Sequence, residues 1–386
     1  MFSRRTNWSL EPNSLSEVLE RHRVAGKPLL DLTASNPTKC GFRYDADAIL
    51  HALANSGSLA YEPEAQGLEA ARRAIAAYYA ERGHRVAIED IILATSTSEA
   101  YSFIFRLLCD PGDEILVPAP SYPLFEFLAD LEDVKLVRYS LIYDHGWQID
   151  FETVDRVLTP RTRAVIVVHP NNPTGHFCSQ RETVELNKIC ARRELAAVAD
   201  EVFLDFSLNE SAPRSFATSG EVLTFTLSGL SKISGLPQMK LAWLVVSGPA
   251  ATKSQALARL EVIADTYLSM NAPVQHAALV LLEQRRAFQP QLMERVRWNL
   301  AELDDQLAAQ KSCSRLPMQG GWYAVVRVPR TRSDEELAIE LLTREGVYIH
   351  PGHFYDFPTE GYFVVSLITP HEEFRRGIHA LLKIFA

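Results

Sequence analysis

From about residue 65 to residue 250, short apolar runs alternate with stretches of helical periodicity. The stretch GLEAARRAIAAYYAERG, for example, places Leu68 and Ile75 on one helical face and ends at Gly83. Strands that are apolar on both faces and alternate with helices predict a mostly parallel α/β sheet flanked by helices. The predicted strands cover residues 91–93, 114–118, 134–139, 163–168, 195–200, 222–227 and 241–246, and the predicted helices between them cover about 98–109, 121–132 and 179–193.

The last third of the chain has a different pattern. Two long helical stretches, residues 254–268 and 277–310, precede short strands within 320–329 and 361–367. A further helix is predicted around residues 333–346. This order of elements predicts a smaller α+β domain that follows the large sheet.

The first 30 residues or so are expected to pack against the smaller domain. Pro12, Pro28 and Pro37 predict that this segment contains no regular element of its own. The expected organisation therefore has three parts. They are an N-terminal segment packing with the small domain (residues 1–45), a large α/β domain (residues 46–268) and a small α+β domain (residues 269–386).

The 386-residue chain has an ordinary globular composition, with 47% hydrophobic and 23% charged residues. Its formal net charge of −9, without a dominant Lys/Arg stripe, argues against a nucleic-acid-binding surface. The five cysteines are an odd number without a C-x-x-C pair, which disfavours a disulfide framework and a zinc site and favours free thiols in a reducing cytoplasm. The sequence shows neither the apolar core of a signal peptide nor a run of about 18 apolar residues, so we expect an intracellular protein without a membrane span.

Polar residues follow several predicted strands, at the sheet edge where ligands bind in α/β folds. After the first of these strands, the segment TSTSEAY offers hydroxyls and free backbone amides at the start of a helix, an arrangement that suits a phosphate. A plain helix cap by Thr97 or Ser98 is the alternative. After the next strand, Tyr122 of SYPLFEF is placed either to cover a planar ring or to fill the core.

Three further residues extend this series along the chain. Asn172 in HPNNPTG lies between two prolines, so it either donates a hydrogen bond to a ligand oxygen or caps its own turn. Asp200 ends a buried run, where a carboxylate needs a cationic partner. Lys232 lies in the turn SGLSKISG, and alone it would be interpreted as a solvated surface lysine. Together, a phosphate cradle, an aromatic ring, an amide donor, a buried aspartate and an amine are what a pyridoxal phosphate site requires.

The motifs SNPT, YEPEAQGLEAAR, TSTSEAY, SYPLFEF, HPNNPTG, DEVF, SGLSKISGLPQMKLAW and GVYIHPGHF occur in this order over roughly residues 30–370. This series resembles the motif ladder of class I/II aminotransferases, the aspartate-aminotransferase-like enzymes of pyridoxal phosphate fold-type I. The resemblance implies that Lys232 forms the Schiff base with pyridoxal 5′-phosphate and shuttles a proton, and that Asp200 keeps the ring nitrogen protonated. It also implies that Asn172 donates to the ring oxygen and that Tyr122 stacks on the ring.

The same resemblance implies further contacts. The phosphate of the cofactor would be held by Ser96, Thr97, Ser231 or Ser228, and Lys240. Tyr61 of YEPEAQG would reach the phosphate in the neighbouring subunit, so that active sites in this family are completed in a homodimer. The candidate substrate contacts are Asn36, Lys39 and Trp322.

Three positions depart from the family pattern. Phe203 stands where many relatives have a tyrosine that hydrogen-bonds the ring oxygen, and Lys240 stands where an arginine usually binds the phosphate. Val364 occupies the position of the arginine that clamps the substrate carboxylate through a bidentate pair. Either another cation replaces that arginine, or the substrate is not an ordinary α-amino acid. The candidate replacements are Lys39, Arg43 and Arg327.

We therefore expect an aminotransferase that moves an amino group from an amino acid or amine donor to a keto acid acceptor by a ping-pong mechanism. A pyridoxal phosphate-dependent lyase, decarboxylase or racemase is the alternative, which Val364 favours because the carboxylate clamp is lost. A third interpretation, a non-catalytic pyridoxal phosphate-binding module, is disfavoured by the lack of a basic patch and of a winged-helix segment before residue 30. A group of aromatic and histidine residues predicts either the wall of a substrate site or a filled interface between the domains. These residues are Trp322, Tyr323, His350, His353, Phe354 and Tyr355.

Overall fold

The computed structural model describes residues 1–123, 125–209, 213–268 and 270–385. The strands in these residues are β1 (Leu30–Asp31), β2 (Ile91–Ala94), β3 (Glu114–Ala119), β4 (Lys135–Tyr143), β5 (Trp147–Ile149), β6 (Thr162–Val168), β7 (Ala196–Asp200), β8 (Thr224–Gly229), β9 (Ala242–Ser247), β10 (Ser314–Arg315), β11 (Tyr323–Arg327), β12 (Val347–Tyr348), β13 (His350–Pro351) and β14 (Tyr362–Ser366). The seven strands predicted in the first two thirds of the chain correspond to β2, β3, β4, β6, β7, β8 and β9.

The α-helices of the same residues are α1 (Ser14–Val24), α2 (Ala46–Leu53), α3 (Glu69–Glu81), α4 (Thr97–Leu108), α5 (Phe125–Leu131), α6 (Phe151–Val157), α7 (Gln180–Arg193), α8 (Leu230–Ile233), α9 (Ala250–Tyr267), α10 (Ala272–His276), α11 (Ala278–Glu283), α12 (Arg285–Ala308), α13 (Asp334–Glu345) and α14 (His371–Lys383). The helix predicted from about residue 121 starts later, at Phe125, so Tyr122 lies in a loop; Leu124 is outside the described residues. No helix in the described ranges is both long enough and apolar enough to cross a membrane.

The large sheet is mostly parallel, as predicted. Its strands follow the order β2-β9-β8-β7-β6-β3-β4-β5. Neighbours among β3, β4, β6, β7 and β8 pair in parallel, whereas β9 runs antiparallel to both β2 and β8, and β5 runs antiparallel to β4. Apolar side chains on both faces bury this sheet between helices, which is why its strands are continuous apolar runs in the sequence.

One edge of the large sheet brings distant parts of the chain together. Ala94 at the end of β2 pairs with Ala242 at the start of β9, and Ala242 also pairs with Gly229 at the end of β8. Because β9 is antiparallel to both neighbours, the turn before β9 lies beside the turns that follow β2 and β8. Asp200 at the end of β7 reaches the same edge, since it pairs with Leu227 of β8.

The C-terminal third builds a second, smaller sheet with the order β10-β11-β14-β13, in which every pair is antiparallel. Helices α12, α13 and α14 contribute to the hydrophobic core of this part. The N-terminal segment joins it through β1, which pairs in parallel with β12.

The prediction that prolines exclude a regular element from the N-terminal segment is wrong. Helix α1 forms between Pro12 and Pro28, and it packs against α13. The Asn13 side chain accepts a hydrogen bond from the Ser16 amide at 2.8 Å and thereby caps the helix. Leu15 and Leu19 form the buried side of α1, so a proline on either side merely bounds the helix.

Helices α10 and α11, which follow residue 268, pack with the large sheet rather than with the smaller one. Val274, Leu281 and Leu282 belong to the same buried cluster as Ile75 of α3 and Trp243 of β9. We propose that the boundary between the two domains lies at the junction of α11 and α12 rather than at residue 268.

Gly235 occupies the turn between Lys232 and Lys240 with a φ of +64°. A Cβ atom added there would overlap the Phe288 ring and would lie 2.8 Å from the Tyr44 hydroxyl oxygen. That hydroxyl donates a hydrogen bond to the Gly235 carbonyl at 2.9 Å. The turn therefore depends both on a left-handed backbone and on close packing.

We predict that Gly235→Ala destabilises the protein by about 2–4 kcal/mol, because overpacking adds about 1–3 kcal/mol to a backbone strain of about 1 kcal/mol. The matched control is Gly83→Ala, where φ is +82° and no atom lies within 4 Å of the added Cβ, so that only the backbone strain applies. The urea midpoints of the two variants measure the difference. Equal losses of stability would contradict the packing argument.

Candidate active site

A cavity of about 370 Å³ opens at the edge of the large sheet where the strand ends meet. Its lining comes from the large sheet, from the N-terminal segment and from the smaller sheet. Of the residues predicted for the site, the cavity brings together Tyr122, Asn172, Asp200 and Lys232. At the converging turns it also includes Ser96, Thr97, Ser231 and Lys240.

Asp200 is the buried anion of this cavity. Burial raises the pKa of its carboxyl group, while hydrogen bonds and the charge of Lys232 act in the opposite direction. The Val202 amide donates to Oδ1 at 3.1 Å, and the Tyr101 hydroxyl donates to Oδ2 at 3.0 Å. Each carboxylate oxygen keeps a further lone pair for a donor in the cavity. Tyr101 was not assigned a role from the sequence, although it lies within TSTSEAY and its position on α4, four residues after Thr97, gives it the same helical face.

Lys232 lies at the floor of the cavity with its amine above two aromatic rings. Its Nζ atom is 5.1 Å from the centre of the Trp322 ring and 5.6 Å from that of Phe203. Burial lowers the pKa of Lys232 to about 8, and the charge of Asp200 opposes that shift. An amine with this pKa is substantially neutral near pH 8 and can act as a nucleophile or as a base.

The start of α4 forms an anion-binding end of the cavity. The Ser96 hydroxyl accepts a hydrogen bond from the Glu99 amide at 3.1 Å, and the Glu99 carboxylate accepts one from the Thr95 amide at 2.7 Å. These two contacts set the direction of the first helical turn. The turn presents further amides and the Thr97 hydroxyl to the cavity, with the positive end of the helix dipole behind them.

Lys240 and Ser231 approach this helix start from the other side. The register of β9 against β2 and β8 carries Lys240 there, in the turn that precedes β9. The Lys240 backbone is left-handed, with a φ of +53°, and its side chain is exposed and makes no ion pair with any residue that the structure describes. A helix N-terminus, a serine hydroxyl and an ammonium group together suit a phosphate.

Asn172 and Tyr122 border the cavity between Asp200 and the smaller sheet. Asn172 is buried, and its Oδ1 atom has no hydrogen-bond partner among the described residues. A buried side-chain oxygen without a partner is unusual in a folded protein, and here it belongs to an amide that lines the cavity. Tyr122 is 45% exposed, in the loop after β3, and its ring is available to cover a planar ligand.

Several predicted site residues lie outside the cavity. Ser228 is buried within β8, with no partner for its hydroxyl among the described residues, and only Ser231 of the two serines reaches the lining. The Asn36 side-chain oxygen accepts hydrogen bonds from the amide and the hydroxyl of Thr38. Lys39 is exposed to solvent and does not line the cavity. Trp322 is buried beneath Lys232 and does not line the cavity either.

Tyr61 is 78% exposed and borders a different pocket, together with Leu268 and Met270. Within one chain, the structure does not bring Tyr61 to the cavity. Of the aromatic and histidine residues predicted for a substrate wall, Tyr323, His350 and Tyr355 line the cavity.

Residues 27–381 match the family model for aminotransferase class I and II. The chain belongs to this family. It is similar to the glutamate-pyruvate aminotransferase AlaA of Escherichia coli (strain K12), with 29% identity over 361 residues that cover 90% of this chain and 88% of that protein. The alanine aminotransferase of Mycobacterium tuberculosis (strain H37Rv) is 28% identical over 350 residues, 88% of this chain and 81% of that protein. The structure of the alanine aminotransferase from Pyrococcus furiosus has a TM-score of 0.87 at 25% identity and covers 100% of this chain and 99% of that chain.

Class I and II aminotransferases depend on pyridoxal phosphate, and this chain is a pyridoxal phosphate-dependent aminotransferase of fold-type I. The cavity fits that cofactor in three respects. Asp200 is a buried acceptor, Asn172 is a buried amide whose Oδ1 has no partner among the described residues, and Lys232 is an amine of lowered pKa. The helix start beside Lys240 fits the phosphate group.

We predict that capture of pyridoxal phosphate by the cofactor-free protein speeds up with pH through a midpoint of about 8, because we expect the neutral Lys232 amine to be the nucleophile. In Asp200→Asn, the charge that raises the pKa of Lys232 is absent, so the midpoint should move to lower pH. Stopped-flow absorbance of the bound cofactor measures both profiles. A midpoint near the ordinary lysine pKa of about 10.4, or an upward shift in Asp200→Asn, would contradict this account.

Proposed function

We propose that the protein transfers an amino group from an amino acid or amine donor to a keto acid acceptor in two half-reactions that share Lys232. The observation that carries this proposal is the Lys232 amine, held in the cavity near the buried Asp200 with its pKa lowered to about 8. The similarity to aminotransferases named for alanine, glutamate and pyruvate supports an amino acid and a keto acid as the reaction partners. The alternation of two half-reactions predicts ping-pong kinetics.

Pyridoxal phosphate supplies an aldehyde that accepts the amino group and a ring that stores the electron pair released at the donor carbon. Lys232 would hold this cofactor covalently. Its neutral amine, when free, would serve as the base that takes the proton from the carbon bearing the donor nitrogen. The aromatic rings of Trp322 and Phe203 below the amine exclude water from this base.

The other residues of the cavity orient and polarise the cofactor in this proposal. Asp200 would accept a hydrogen bond from the protonated ring nitrogen, and Tyr101 and the Val202 amide hold its carboxylate in place. Asn172 would donate to the ring oxygen, and Tyr122 would cover the ring face. The phosphate is assigned to Ser96, Thr97, Ser231 and Lys240.

We further propose a homodimer in which Tyr61 reaches the active site of the neighbouring subunit. Tyr61 is highly exposed, and Leu59 and Leu268 on the same part of the surface are 92% and 57% exposed. A surface of this kind favours burial against another chain. The five cysteines are free, which supports a reducing compartment such as the cytoplasm.

We predict that Lys232→Ala abolishes amino transfer, because both the covalent anchor and the base are lost. Residual turnover should fall by at least about 10³-fold, since removal of a nucleophile and general base costs at least that much. Lys311→Ala removes an exposed lysine that does not line the cavity and serves as the control. Retained turnover in Lys232→Ala, with the cofactor absorbance unchanged, would overturn the assignment.

A subunit-mixing experiment tests the proposed contribution of Tyr61. If Tyr61 acts across the dimer, a mixed dimer of one Lys232→Ala subunit and one Tyr61→Phe subunit contains one site with both native residues. Co-refolding of the two impaired variants should therefore restore activity to about one quarter of the wild-type level, because half of the dimers are mixed and each has one intact site. Activity no higher than the average of the two variants would contradict a shared site.

A further inference from the structure

Tyr101 is a buried polar residue on α4, the helix whose first turn forms the anion-binding end of the cavity. It lies four residues after Thr97, so both side chains project from the same helical face, and both line the cavity. Four residues of an α-helix rise about 6 Å along its axis. A single rigid helix therefore contributes to the anion-binding end of the cavity and to the surroundings of Asp200.

Packing fixes the position of the Tyr101 ring. The ring centre lies 5.2 Å from that of Phe125 in an edge-to-face arrangement and 6.0 Å from that of Phe105, on the next turn of α4. A phenylalanine would fill nearly the same space, and a buried hydroxyl group costs free energy unless it has a partner. The contact of the hydroxyl with Asp200 at 3.0 Å, rather than packing, therefore accounts for a tyrosine at this position.

The two hydrogen bonds to Asp200 match the ionised form of its carboxyl group. The Val202 amide donates to Oδ1 and the Tyr101 hydroxyl donates to Oδ2, so each oxygen accepts one bond. A protonated carboxyl group would carry a hydrogen on one of these oxygens and would accept less well there. Burial raises the pKa of Asp200, and the Tyr101 hydroxyl is one of the groups that act to lower it. Burial also raises the pKa of Tyr101 well above its ordinary value, so the hydroxyl stays a neutral donor.

We propose, on the basis of the aminotransferase function proposed above, that Tyr101 is a positioning residue for the ring end of pyridoxal phosphate. Its hydroxyl keeps Asp200 ionised and fixes the direction of Oδ2, so that the carboxylate can accept a hydrogen bond from the protonated ring nitrogen. Because Tyr101 and Thr97 lie on one helix, α4 also fixes the distance between that acceptor and the phosphate end of the cavity.

The binding of two cofactors to the cofactor-free protein tests this role without turnover. Pyridoxal phosphate carries the ring nitrogen, whereas its 1-deaza analogue has a carbon in that position and keeps the aldehyde and the phosphate. In Tyr101→Phe, the affinity for pyridoxal phosphate should fall by about tenfold or more, because a charge-assisted hydrogen bond loses its aligned acceptor. The affinity for the analogue should not fall, because its ring donates no such bond to Asp200. Absorbance titrations give both dissociation constants, and their ratio is the readout.

Two other hydroxyl groups of the chain provide matched controls. Tyr139→Phe removes a buried tyrosine hydroxyl that donates to the Ile166 carbonyl at 2.8 Å, outside the cavity lining, so both affinities should stay unchanged. Thr97→Val removes a hydroxyl at the phosphate end of the same helix, so both affinities should fall by the same factor. The ratio of the two dissociation constants should therefore change in Tyr101→Phe and stay constant in both controls.

A double substitution tests whether Tyr101 acts through Asp200. In an Asp200→Asn background the carboxylate is absent, so adding Tyr101→Phe should leave the ratio of the two dissociation constants unchanged. A further change of the ratio by Tyr101→Phe in that background would contradict an action through the carboxylate.

The ratio also separates this inference from a purely structural role and from the proposed function. An equal loss of affinity for both cofactors in Tyr101→Phe, as expected of a residue that only stabilises the fold, would overturn the inference, and so would an unchanged ratio. Wild-type protein that binds both cofactors equally well would overturn the contact of Asp200 with the ring nitrogen and this inference with it. Failure of the proposed function is a different result, in which wild-type protein loaded with pyridoxal phosphate converts no amino acid or amine, and the ratio still decides the role of Tyr101.

Discussion

The burial of the Asp200 carboxylate at the end of β7 is the constraint on which the rest of the site depends. A carboxylate in this position destabilises the fold unless hydrogen bonds and a positive charge compensate it. The Tyr101 hydroxyl and the Val202 amide provide the hydrogen bonds, and Lys232 provides a positive charge that acts against the raised pKa of the carboxyl group. The same burial lowers the pKa of the lysine, so the environment that makes the acid costly also makes the amine reactive.

The antiparallel direction of β9 brings further residues of the cavity to the edge of the sheet where Asp200 lies. A wholly parallel sheet would place the residue before β9 at the opposite edge from the ends of β2 and β8. The pairing of Ala242 with both Ala94 and Gly229 instead brings Lys240 beside the start of α4 and the turn of Lys232. The anion-binding end of the cavity therefore results from strand direction.

The sequence predicts the large sheet, and it predicts that the central residues meet in one place, because both depend on local patterns. Apolar runs mark the strands, and Asp200, Asn172 and Lys232 follow strands whose ends must meet. The sequence does not predict contacts that depend on how a helix is rotated against the sheet, or on which elements far apart in the chain pack together. Tyr101 reaches Asp200 only because of how α4 packs on the sheet. Trp322, which was predicted as a substrate contact, is instead buried beneath Lys232.

The central claim is that Lys232 is the amine that holds the cofactor, with Lys240 serving only as a charge beside the phosphate. The most direct test is borohydride reduction of the pyridoxal phosphate-loaded protein, followed by proteolysis and peptide mass spectrometry. Reduction makes the carbon–nitrogen bond permanent, so the modified lysine keeps the mass of the cofactor. The account predicts that the added mass lies on Lys232. Recovery of the cofactor on Lys240, or on no lysine of this turn, would contradict it.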